Sequence, residues 1–183
     1  VCPTLLVNKY VGRDEAANKI LEAARETYIQ NSFDNFMDCP TRERAGWLCD
    51  SFFLGRAEYE FTGKNIIERN FLENYLLADN CKNIPEGMVP MCYPSDHGNV
   101  GIIPNWAMWF VLELEEYLER TGDVETIRRA RTRIYELVEF FKPYINEDGL
   151  LEKLPKWVFV EYSYANKLVQ DVSYPSNMLY AEM

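Results

Sequence analysis

The sequence predicts an all-α fold assembled from helix hairpins, and three observations predict it. Apolar residues recur at three-and-four spacing along most of the chain. Tight Thr-Gly turns alternate with long loops. The two tight turns repeat, Glu60 to Gly63 and Glu119 to Gly122, each a Glu-x-Thr-Gly run, with the glycines 59 residues apart.

The first helix runs from Asp14 to Gln30, where Ala17, Ile20, Leu21, Ala24 and Tyr28 share a face and Asp14 is placed to cap the N-terminus. The spacing predicts a second helix from about Ala45 to Phe61 and a third from about Asn65 to Asn80. A fourth spans about Asn105 to Arg120. A fifth runs from about Val124 to Phe141, opened by Asp123 and closed by Pro143. A sixth begins near Ser176. Gly63 and Gly122 can take the left-handed conformation that ends a helix. The long connections, roughly 31–44, 82–104 and 143–175, all follow odd-numbered helices, so they gather at one end of the array, where sites usually sit. A turn at Glu147-Asp148-Gly149 and the β-prone run Trp157 to Tyr162 suggest a short β-hairpin in the third loop. Helix pairs of this kind build toroids or solenoids. Five helices and the start of a sixth do not close a toroid of twelve, so the expectation is the N-terminal part of one domain spanning 1–183, cut at its C-terminal end and without flanking domains. The apolar segment Val1 to Val11 is expected to pack against something outside it.

Composition narrows the function. The 183 residues are 48% hydrophobic and 26% charged, ordinary for a soluble globular chain. The net charge of −10 argues against a nucleic-acid partner, which needs clustered Lys and Arg, and suits a neutral substrate. Five scattered cysteines with no C-x-x-C pair, and a single histidine, point away from a metal site and toward reduced thiols, hence a cytoplasmic or other non-disulfide setting. No apolar run is long enough to span a membrane.

The chemistry concentrates in Asp38 to Asp50, which holds Asp38, Glu43, Asp50, Arg42, Arg44 and Trp47. On the predicted helix, Trp47 and Asp50 share a face. One carboxyl group can protonate a leaving oxygen while others hold hydroxyls. Burial and neighbouring carboxylates raise the acid's pKa, so Asp38 and Asp50 are expected to act on Glu43. Arg42 would oppose this and is therefore expected to point at Asp38 or at a substrate. The plainer alternative makes Asp38 a turn cap, the arginines surface ion-pair partners and Trp47 a core residue.

The order of these residues resembles a known signature. Asp38-Cys39-Pro40-Thr41-Arg42-Glu43-Arg44, then Gly46-Trp47 and Asp50, is similar to the D-C-P-x-R-D-E-R motif of the α-L-rhamnosidases of glycoside hydrolase family 78, with the acid between arginine and glutamate absent. Ile103-Pro104-Asn105-Trp106 resembles the family's I-P-D-W, with Asn105 in place of the acid. Trp157 to Tyr162 resembles its W-x-F-x-D-W, with Tyr162 in place of a tryptophan. The resemblance implies a partial (α/α)6 barrel, an α-L-rhamnoside as carbohydrate partner, hydrolysis with inversion and no cofactor. It makes Glu43 the general acid and places Asp38, Arg42, Trp47, Asp50, Trp106 and Trp157 around the sugar. Asn105 departs from the pattern, which leaves its hydroxyl recognition open. An inverting enzyme also needs a base about 6.5–9.5 Å from the acid. The loop acids Glu152 and Glu161 do not match the family's base motif, so the base is expected beyond Met183.

Other features read as structural. His97 sits in a turn-rich loop and reads as solvent-exposed. Cys39 and Cys49 read as small buried hydrophobes, the acids from Glu113 to Glu119 as a solvated face, and the arginines from Arg128 to Arg133 as a surface. The competing functions are another helical-toroid glycosidase, a polysaccharide lyase, and a non-catalytic helical-repeat binding module. A lyase requires a Tyr or His base and acidic sugars, which the lone histidine and the acidic balance disfavour. The 183 residues alone are expected to be inactive and to associate, because an open half-barrel exposes an apolar inner wall and leaves room for an oligomer.

Overall fold

The computed structural model describes residues 10–78, 81–95, 101–164 and 171–183. Six helices follow in order: α1 (Glu15–Asn31), α2 (Asp50–Thr62), α3 (Ile66–Leu76), α4 (Pro104–Thr121), α5 (Val124–Phe141) and α6 (Tyr174–Glu182). A 3-10 turn at Lys142–Tyr144 follows α5. Among the described residues there is no strand ladder, only isolated bridges.

Local signals explain where the helices start and stop. The Asp14 carboxylate accepts from the Ala16 and Ala17 N–H groups, and Asp123 accepts from Glu125 and Thr126. Each cap of this kind is worth about 1 kcal/mol. The hairpin turns end at Gly63 (φ 68°) and Gly122 (φ 69°), both left-handed as expected.

The helices form two rows. α2 packs on α4 and α4 on α6, while α3 packs on α5. α1 lies against α2 and α3 against α4, so odd helices back even ones. Between the rows lies one core, with Tyr28, Phe71, Leu72, Tyr75, Phe110, Leu114, Leu137 and Phe141 nearly or wholly excluded from water. The other side of the even row carries exposed apolar residues, Phe53 and Met178 among them. A groove of about 400 Å³ runs there between α4 and α6, lined by Trp109, Leu112, Met178 and Leu179.

Four expectations are corrected. The second helix starts at Asp50 rather than Ala45, because the 45–48 segment pairs with another loop and Cys49 takes φ 75°, a conformation no helix contains. Tertiary pairing overrides local propensity there. The third helix stops at Leu76 instead of reaching Asn80, whose position lies outside the described residues. The turn at 147–149 exists and is closed by an Ile145–Leu151 bridge, but Trp157 to Tyr162 forms no strand. Glu113 is not on a solvated face: it is wholly buried and accepts from the Ser51 hydroxyl, whereas Glu115 and Glu119 are exposed. The segment 1–9 and His97 lie outside the described residues.

Candidate active site

The described parts of the three long loops meet above the N-termini of the even helices. The loop from 32 to 49 leads into α2, the loop from 81 to 103 into α4, and the loop from 145 to 173 into α6. The first two are stitched together. Trp47 bridges to Cys92, Tyr93 N–H donates to the Gly46 carbonyl at 2.9 Å, and Leu48 N–H donates to Met91 at 3.3 Å. The buried Tyr75 hydroxyl adds a 2.7 Å bond to the same Gly46 carbonyl. A Cβ at position 46 would lie 2.4 Å from the Tyr93 carbonyl oxygen, so only glycine allows this approach.

Asp38, Arg42, Glu43, Trp47, Asp50, Trp106 and Trp157 all line one cleft of about 540 Å³. Every residue that the sequence proposed for the site is therefore brought together. Asp38 also closes its own loop: its carboxylate accepts from Ala45 N–H at 3.0 Å. The turn-cap alternative and the cleft position thus hold at once for this residue. Cys39 accepts from Glu43 N–H at 3.2 Å, which fixes the backbone that carries Glu43. Cys39 and Cys49 are half-buried rather than fully buried.

Two further expectations are corrected here. Trp47 and Asp50 do not share a helix face, because Trp47 precedes the helix and Asp50 is its first residue. The Trp47 indole instead donates to Glu43 Oε2 at 3.0 Å. Arg42 does not turn away from the acid but pairs with Glu43 Oε1. The side chain is exposed and Asp38 is occupied by backbone, so the adjacent carboxylate is the nearest acceptor left.

Charge accumulates in the cleft. Asp50 is pushed up to about 6 by the protein packed around it and then by the negative charges of Asp38 and Glu43. Asp50 is nevertheless an exposed residue, so solvent screens part of that push. The thiols behind the cleft hold their protons: burial and nearby carboxylates raise Cys49 to about 12, and burial above all raises Cys92 to about 11. Neither is a thiolate nucleophile at neutral pH.

The far wall is aromatic. Phe159 stands edge-on to Trp106 (5.0 Å), Trp157 (5.2 Å) and Tyr162 (4.8 Å). Phe159, Tyr162 and Ile103 line the cleft and were not among the proposed residues. All three lie inside the runs that carried the resemblance, and that was the available signal. Asn105 stands apart: it is buried and donates to Ser176 Oγ at 2.6 Å, tying α4 to α6 below the cleft. Glu161 lines the cleft but is engaged by Ser163 N–H at 2.7 Å. Glu152 is outside the cleft, paired with Lys153 at 2.6 Å. Among the described residues no group of three or more His, Cys, Asp or Glu could hold a metal ion, and no helix is long and apolar enough to cross a membrane.

Rows of helix hairpins with an acid-lined, aromatic-walled cleft at the loop end define a helical-hairpin glycosidase scaffold. Residues 11–180 match the family described as the bacterial alpha-L-rhamnosidase 6 hairpin glycosidase domain, and the chain belongs to that family. Among solved structures it is similar to the glycoside hydrolase family 78 rhamnosidase of Bacillus sp. GL1, with a TM-score of 0.84 and 21% identity over 97% of this chain and 18% of that one. It is also similar to a rhamnosidase from Klebsiella oxytoca with rhamnose bound, with a TM-score of 0.68 and 20% identity over 86% of this chain and 30% of that one. The chain thus spans less than a third of either structure. No curated protein matches it.

Proposed function

We propose that the protein hydrolyses terminal α-L-rhamnosides with inversion, and that Glu43 is its general acid. The observation that carries this reading is the convergence of the Asp38-to-Asp50 motif with Trp106 and Trp157 on one cleft. Glu43 protonates the glycosidic oxygen as the bond to the anomeric carbon breaks. Positive charge develops on the sugar ring, and the carboxylates around the cleft stabilise it. Asp38 and Asp50 accept from ring hydroxyls, Arg42 binds at the mouth, and Trp47, Trp106 and Trp157 supply flat faces. Water attacks from the opposite face and gives the β-anomer.

The base that activates this water belongs to a part of the same (α/α)6 domain outside residues 1–183. Two facts support this: Glu161 is bonded to Ser163 and Glu152 lies elsewhere. The 183 residues alone then give no turnover, and a discontinuous assay on an aryl α-L-rhamnoside with the purified segment checks it. Sustained turnover would place the base within the segment. The four free cysteines among the described residues suit a reducing compartment such as the cytoplasm.

The test is hydrolysis of an aryl α-L-rhamnoside by the full natural chain, followed by NMR at the anomeric carbon. Early release of β-rhamnose supports the reading; α-rhamnose overturns inversion. A binding module would hold rhamnosides without any turnover that depends on Glu43.

A further inference from the structure

Two donors hold the Glu43 carboxyl group, and they differ in how firmly they are anchored. The Arg42 guanidinium reaches Oε1, but its side chain is 80% exposed and sits on a long flexible stem. The Trp47 indole reaches Oε2 at 3.0 Å from a backbone bonded on both sides. Trp47 bridges to Cys92, the preceding Gly46 carbonyl takes the Tyr75 hydroxyl and Tyr93 N–H, and the following Leu48 is wholly buried.

We propose that Trp47 is a positioning residue for the acid, and that its indole selects which oxygen of Glu43 carries the proton. This rests on the reading of Glu43 as general acid. An indole N–H donates and never accepts. Oε2 therefore faces a fixed donor in either protonation state, whereas the donor on Oε1 is the exposed Arg42 side chain, so the transferable proton sits on Oε1 once Arg42 has swung off it. That is the oxygen Arg42 frees when an incoming substrate displaces it. Trp47 thus acts through Glu43, in addition to presenting an apolar face to the cleft.

The charged and titratable groups facing Glu43 set the direction of the test. Asp38 and Asp50 approach from its own segment, Cys92 from the 81–103 loop and Glu161 from the 145–173 loop. The carboxylates among them favour the protonated carboxyl and the Cys92 thiol, which keeps its proton, adds no charge, whereas Arg42 and Trp47 favour the carboxylate. Removing the indole donor takes away one of the two groups that favour the carboxylate.

Trp47→Phe keeps a ring and removes the donor. In the full natural chain acting on a rhamnoside with a poor leaving group, kcat should fall about tenfold, in the range of one hydrogen bond to a charged group. KM should change little, and the alkaline limb of kcat/KM should move to higher pH. An aryl substrate with a good leaving group should lose much less. A rise in KM with the limb unmoved would mean that Trp47 only stacks, and would overturn the proposal. A second readout needs no variant to fold: the 15N-indole resonance of Trp47 should titrate with Glu43 in the native chain. A resonance that ignores pH across the acid's titration overturns it as well. The two readings fail separately. If Glu43→Gln keeps full turnover, the acid assignment falls and this inference with it. If Glu43→Gln is inactive while Trp47→Phe leaves the limb in place, only the positioning role falls.

Discussion

The cleft and the helix interior both gather carboxyl groups, and burial raises the proton affinity of Asp50 in the one and of Glu68 in the other, yet only the cleft has room for chemistry. In the cleft, Asp38, Glu43 and Asp50 come from one short segment and face about 540 Å³ of open space with aromatic walls. In the interior, Glu58, Glu68 and Glu113 come from α2, α3 and α4 and face one another's helices. Glu58 accepts from the Ile67 and Glu68 N–H groups, both at 2.9 Å, so it caps α3 from the neighbouring helix. Glu68 takes the Asn65 amide and the Arg120 guanidinium. Burial lifts Glu68 to about 7 and Glu113 well above the usual carboxylate range. The interior is filled: a Cβ on Gly55 would lie 2.2 Å from Glu68 Oε1. Raised proton affinity therefore reports burial, and a reaction needs space beside the carboxyl group as well.

Arg120→Leu should give the largest stability effect, a loss of about 3–5 kcal/mol in urea unfolding, because Glu68 is left buried without its counter-charge. Turnover per folded molecule should not change. A loss of turnover with the fold intact would mean that the two clusters communicate.

The dependence of stability on pH sharpens the contrast. An unfolded glutamate titrates near 4.5, whereas folded Glu68 titrates near 7. The folded chain holds more protons between these values, so unfolding free energy should fall as pH rises from about 4.5 to about 7. Urea midpoints across that window check the sign. Stability that rises with pH there would mean the interior carboxylates are ionised throughout.

The smallest effect is expected for Glu113→Gln. Burial raises the proton affinity of Glu113 and its carboxyl accepts from the Ser51 hydroxyl, so an amide of the same shape should cost less than about 1 kcal/mol, with a flatter pH dependence. A much larger loss would show that Glu113 is charged in the folded chain.

How far the sequence carried this account depends on where each instruction is written. The helix starts at Asp14 and Asp123 and the stops at Gly63 and Gly122 are local, and they appear as read. The order of the seven candidate residues follows a signature, and the structure brings them to one cleft. The shape of the 45–49 segment was not legible, because its bonds go to Met91, Tyr93 and Pro94 about 45 positions away. Nor was the pairing of Arg42 with Glu43, which follows from that loop's path. Glu113 misled for a different reason. The acidic run groups it with its exposed neighbours Glu115 and Glu119, although it lies three residues after Phe110 and four before Tyr117, on the buried face, where it meets Ser51 of α2.

The central claim is that Glu43 delivers the proton, and one comparison tests it. Native protein and Glu43→Gln, both in the full natural chain, are given two α-L-rhamnosides that differ in leaving-group ability, with the anomeric carbon followed by NMR. The account predicts β-rhamnose first from the native protein. It predicts a loss of about 10²–10⁴-fold in the variant on the poor leaving group and a much smaller loss on the good one. Equal rates for native and variant protein on the poor leaving group would contradict it.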